Sequence, residues 1–184
     1  TADCVAALDS MEATATVLGD VPVWGGEYGG PWSVAEFATY MGDMLSTMTA
    51  KGFGRAIYSD DMAQVEGFGL RLADRQFRPE AVWMLSHPRA RRVPGPVIEQ
   101  TLTRELTEYH LRFRWDADSP LDLWCPRPEG ATDTWAPVVV AVEDSGRTVT
   151  CHHPEGTPNG RWDCDRPTGP AEDYEITCQR GPAR

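Results

Sequence analysis

The chain has 184 residues, enough for one domain with a proper core or one domain with a stapled appendage, and too few for an eight-fold α/β barrel. Its 28 acidic and 17 basic side chains leave a net charge of −11, which argues against a nucleic-acid partner or attachment to anionic lipid by bulk charge. The hydrophobic fraction of 41% is that of a folding chain, and the unusual counts are five cysteines and seven tryptophans.

The amino-terminal third reads as helical. Cys4, Leu8, Met11, Ala15 and Leu18 recur at helical spacing, and Gly19 follows as a stop. A loop rich in glycine and aromatic residues is expected from Asp20 through Trp24 and Tyr28 to Pro31. Next, Ser33 and Glu36 have the spacing of a capping box, with Trp32 and Phe37 placed as its hydrophobic staple. The helix behind them carries Val34, Phe37, Met41, Met44, Leu45 and Met48 on one stripe and ends at Gly52. Such a methionine stripe suits core packing better than an adaptable groove.

Beyond Gly52 the period shifts toward two. Arg55–Tyr58, Phe68–Leu72 and the apolar run Ala81–Leu85 are strand candidates, Asp60–Val65 opens either a strand or a short helix, and Val97–Leu106 is equally ambiguous. Charge changes along the way: residues 1–75, 76–115 and 116–184 carry net charges of −7, +3 and −7. The densest basic stretch, with Arg89, Arg91 and Arg92, lies among Pro88, Pro94 and Pro96 and reads as an exposed loop, either a binding loop for an acidic partner or a solvated linker. Tyr109, Leu111, Phe113 and Trp115 then alternate with His110, Arg112 and Arg114, the pattern of a half-buried strand.

The last third contains a repeated turn, C-x-x-P-[ET]-G, leading to an aromatic residue. It runs from Cys125 to Trp135, from Cys151 to Trp162 and from Cys164 to Tyr174. Each cysteine would end a strand, proline and glycine would turn the chain, and the ring would begin the next strand, giving an antiparallel meander. Val138–Thr150 supplies a turn at the opposite end. Cys151–Cys164 is the expected bridge and Cys125–Cys178 the second pair, which leaves Cys4 over. Bridges of this density point to an oxidising, secreted or extracytoplasmic location. No export signal is visible, and no apolar run is long enough to span a bilayer. Sixteen arginines against one lysine are the usage of a GC-rich genome, so bacterial export is the expectation.

The fold expected is α+β, with a helix-rich part over 1–106 and a disulfide-stapled antiparallel meander over 107–184, together one compact domain. The function expected is binding or assembly, with Trp124, Trp135, Trp162 and Tyr174 offering rings to a protein or glycan partner, beside Arg89, Arg91 and Arg92. The same rings could simply cover the bridges of a small sheet. The alternative is a small secreted hydrolase. Glu108 and His110 would do its acid–base work with Arg112 and Arg114 orienting an anion, or His152, His153 and Asp163 would hold a metal. Adjacent histidines on a strand point to opposite faces, which weighs against the metal, and no cofactor is expected. Asp116, Asp118 and Asp122 resemble a calcium loop only faintly, lacking its turn glycine and final glutamate.

Overall fold

The computed structural model describes residues 2–32, 34–57, 70–72, 76–127, 136–142 and 147–180, with the backbone alone at 26–28 and 56–57. The expected elements at 58–69, the capping residue Ser33 and the ring of Trp135 lie outside these residues. The chain is α+β and divides into two compact units, Thr1–Leu85 and Ser86–Arg184.

In the first unit, helix α1 (Ala2–Val17) ends ahead of Gly19, whose φ of 91° is a left-handed conformation open to glycine. Only Leu8 and Ala15 of its expected face are buried, and Met11 and Leu18 stay exposed. Strand β1 (Trp24–Tyr28), helix α2 (Phe37–Ala50) and strand β2 (Gly54–Ile57) form a βαβ unit whose strands pair in parallel. From Phe37 on the α2 stripe is core, with Met41, Leu45 and Met48 at most 2% exposed, but Val34 precedes the helix and is exposed; Gly52 closes the helix at φ 66°. Its first residue is Phe37, Glu36 takes the N-cap position without a side-chain bond, and the Trp32 and Phe37 rings meet edge-on at 4.8 Å. Gly25 lets α2 approach the strand, because a Cβ there would stand 2.5 Å from Met48 Cε. Lys51, the one lysine of the chain, ties the end of α2 to Asp9 and Glu12 of α1.

The run Ala81–Leu85, expected as a strand, belongs instead to helix α3 (Pro79–Leu85). Proline suits the first helical position, and Ala81 and Met84 are buried three residues apart. Period alone cannot separate a strand from one helical face in so short a run.

The second unit contains β3 (Arg89–Arg92), β4 (Val97–Leu102), β5 (Glu108–Arg114), β6 (Leu121–Trp124), β7 (Val139–Ala141), β8 (Thr148–Val149), β9 (Cys151–His152), β10 (Arg161–Cys164) and β11 (Asp173–Gln179). They form two antiparallel sheets, β3-β6-β10-β9 and β4-β5-β11-β7-β8. The chain passes back and forth between the sheets, so the arrangement is not the meander that the repeated turns suggested. Each sheet has one apolar face to bury. Tyr109, Leu111 and Phe113 pair across β5/β11 with Cys178, Ile176 and Tyr174, and all six are buried. Leu121 and Leu123 pair with Cys164 and Trp162, also buried. Cys125, just past β6, is bridged to Cys178 of β11 with Cα atoms 5.6 Å apart, which fastens one sheet to the other.

Strands β3 and β4 precede residue 107, yet they pair with β6 and β5 and belong to this unit. The basic segment is therefore an edge strand and not a free loop. Pro88, Pro94 and Pro96 fall just outside it, where a missing N–H costs no ladder bond. Gly95 turns the chain between β3 and β4 at φ 150°, and a Cβ there would sit 2.1 Å from the Arg114 carbonyl oxygen. Gly95→Ala is expected to cost about 1–3 kcal/mol, read as a lower urea midpoint at unchanged slope; an unchanged midpoint would refute this close approach.

Candidate functional site

Parallel strands joined by a crossover helix present their carboxyl ends to one side, and in α/β proteins that side carries the chemistry. Two such ends are described, those of β1 and β2. The β1 sequence Trp24-Gly25-Gly26-Glu27-Tyr28 places Glu27 one residue before the end of its strand. The register is irregular at that point. Gly25 lies opposite Arg55, but Tyr28 lies opposite Ile57, so β1 fits one more residue into the interval than β2 does. The extra residue falls at Gly26 or Glu27. A bulge bends a strand and re-aims a side chain, and bulges concentrate beside active sites. Sequence reasoning missed Glu27 because four glycines among residues 25–30 read as a loop; the usable signal was an acidic residue three positions beyond the run Val21-Pro22-Val23-Trp24.

Of the aromatic residues expected to form a platform, the described ones, Trp124, Trp162 and Tyr174, do not share one face. Trp162 lies on the inner face of the first sheet, where Nε1 donates to the Cys125 carbonyl at 2.9 Å. Tyr174 is 1% exposed on the inner face of the second and donates to Glu172 at 2.7 Å. Burial, together with that bond, pushes its phenol up to about 12. Trp124 is on the opposite face of its sheet from Trp162, half-buried, and donates to the Ser86 carbonyl at 3.0 Å. Arg89 lies over the Trp124 ring at 6.0 Å, Arg91 reaches Asp122 at 4.0 Å, and Arg92 donates to the Pro120 carbonyl.

Glu108, His110, Arg112 and Arg114 share the outer face of β5, and this face is cross-linked. Glu108 accepts from Gln179 at 2.6 Å, and His110 stands in register between Thr101 and Thr177. Arg114 and Arg112 both donate to Asp173, at 3.0 and 3.2 Å, and hold its carboxyl below the ordinary range. A carboxylate whose folded pKa is depressed contributes stability above its unfolded pKa, and this is lost as pH falls through the folded value. Asp173→Asn is accordingly expected to flatten the acid limb of stability below about pH 4, measured by urea midpoints from pH 2 to 7; an acid limb as steep as the parent's would count against the pairing.

His152 and Asp163 face each other across β9/β10, but His152 Nδ1 is 3.7 Å from Asp165, and His153 contacts the Pro158 carbonyl and lies edge-on to Trp162. Among the described residues no three of His, Cys, Asp and Glu converge on a metal position. Asp122, in β6, is paired with Arg161 at 3.1 Å, and the exposed Asp118 reaches Arg166 at 3.6 Å. The bridges are Cys151–Cys164 and Cys125–Cys178, and Cys4 is a free thiol. No described helix is long and apolar enough to cross a membrane.

No family model and no curated protein matches the sequence. Solved structures do match the fold. Endo-glycoceramidase II from Rhodococcus sp. aligns with a TM-score of 0.65 and 20% identity, over 92% of this chain and 35% of its own. Sterylglucosidase 1 of Cryptococcus neoformans aligns with a TM-score of 0.64 and 15% identity, over 98% of this chain and 32% of its own. The chain thus spans about a third of the length of the structures it matches. The TM-scores show a shared fold, and the two proteins named are glycoside hydrolases. The expectation of a binding or assembly protein is corrected by that finding, which favours the hydrolase alternative.

Proposed function

We propose that this chain supplies part of the catalytic sheet of a glycoside-hydrolysing enzyme, with Glu27 as one of its two reacting carboxylates. The observation that carries the reading is the irregular register at Gly26–Glu27, near the carboxyl end of a parallel strand. Glycoside cleavage uses two carboxyl groups on either side of the scissile bond. One protonates the departing oxygen, and the other attacks the sugar or activates water while positive charge develops on the ring. A strand end fixes such a group better than a loop does.

The second carboxylate belongs, in this reading, to further strands of the same sheet. Parallel strands are normally buried on both faces and within wider sheets. Here, among the described residues, β1 and β2 pair only with each other, and Trp24 is 62% exposed. The substrate we infer is a sugar carried on a lipid. The fold neighbours are named for glycoceramide and sterylglucoside, and one Rhodococcus structure is a ganglioside GM3 complex. We place the enzyme outside the cytoplasm on account of its two bridges.

The test is purified protein containing this chain together with the remaining strands, incubated with a glucosylceramide, a lactosylceramide and a sterylglucoside. Release of free sugar from at least one is expected. Absence of release from all three and from aryl glycosides would overturn the reading.

A further inference from the structure

The two disulfides occupy unlike environments. Cys125 and Cys178 are both 0% exposed, and their bridge runs between the sheets and closes a separation of 53 residues. Cys151 and Cys164 stand directly opposite each other in β9/β10, with Cα atoms 4.0 Å apart and a separation of 13 residues. Cys164 is buried, but Cys151 is half-buried on β9, a two-residue strand at the edge of the first sheet.

We propose that Cys151–Cys164 is a redox-labile bridge, opened by a dithiol under conditions that leave Cys125–Cys178 closed, and that its opening releases β9 and bares the edge of β10. The cause is access from the surface. Exchange requires a thiolate to reach a sulfur in line with the S–S bond, and only Cys151 offers approach from the surface. Loop length does not enter, because the native fold already holds both loops closed.

The chemistry balances with a dithiol as reductant. Its thiolate attacks Cys151 Sγ, and the Cys164 thiolate departs and takes up a proton. The reagent's second thiol then displaces Cys151, leaving two protein thiols and a cyclic disulfide. What remains to hold β9 is a ladder of two register pairs, Asp163–His152 and Cys164–Cys151, with the Asp165 N–H bond to the Thr150 carbonyl, the His152–Asp165 contact and the edge contact of His153 with Trp162 beside it. An unpaired β10 edge is a template for another strand.

The experiment is graded dithiothreitol on the native protein, with alkylation of new thiols, peptide mapping and hydrogen exchange over 151–164. Cys151 and Cys164 are expected to label at a dithiothreitol concentration roughly tenfold or more below that needed for Cys125 and Cys178. Exchange should rise over 151–164 while near-ultraviolet tryptophan signals persist. Simultaneous labelling of all four, earlier labelling of Cys125 and Cys178, or loss of the tryptophan signals at the first step would overturn the proposal. So would unchanged exchange after selective reduction. The variant C151A/C164A should lack the first labelling step and keep the second.

Discussion

Glu27→Gln is expected to lower glycoside turnover by about a thousandfold or more while leaving the melting temperature within a degree or two. The amide keeps the shape of the carboxylate, but it can neither attack, accept a proton nor carry charge. The loss should therefore fall on kcat and kcat/KM together, as it does when an interaction exists only in the transition state. A structural role predicts the reverse, a lower melting temperature with residual activity in proportion to folded protein. A second variant sharpens the distinction. If Glu27 is the attacking group, Glu27→Ala leaves a space that azide or formate can enter, and turnover of an aryl glycoside should partly return. Wild-type rates in Glu27→Gln would remove Glu27 from the reaction even if the protein proves to hydrolyse glycolipids.

Why the sequence did not disclose Glu27 has a physical answer. Glycine has low intrinsic preference for strands, so Gly25 and Gly26 suggest a loop when read locally. What makes the segment a strand is tertiary: parallel pairing with β2 about 30 residues on and close cover by Met48, which Gly25 permits. The α2 stripe was legible from Phe37 on because its period is local and Phe37, Met41, Met44, Leu45 and Met48 are on one buried face. So was β5, whose alternation matches the burial of Tyr109, Leu111 and Phe113. Of the three repeated turns, the one after Cys125 lies outside the described residues, and the other two place Gly156 and Gly169 at φ 71° and 133°. These two are not equivalent. The turn after Cys151 joins neighbours β9 and β10, whereas the turn after Cys164 crosses from one sheet to the other. Sheet membership depends on non-local pairing that a repeated turn does not encode. The basic segment shows the same limit, since only its pairing with β6 separates an edge strand from a loop.

Removing the inter-sheet bridge should have the largest effect on stability. C125A/C178A is expected to lose about 4 kcal/mol, from a closed loop of 53 residues, against about 3 kcal/mol for the 13-residue loop in C151A/C164A. The unit Ser86–Arg184 is small enough that 4 kcal/mol corresponds to a fall in melting temperature of roughly 15–30 °C. The position of the bridge adds to this. Cys125 and Cys178 lie within the apolar layer between the sheets, so alanine leaves the space of two sulfurs unfilled beside Trp162 and Tyr109. Cys151 is at an edge, where the structure can relax. The difference between the two variants should therefore exceed that from loop length alone. A difference of only about 1 kcal/mol, measured by urea titration with both slopes compared, would mean that the bridges act only through the unfolded chain, with the inter-sheet packing at Cys125 contributing nothing.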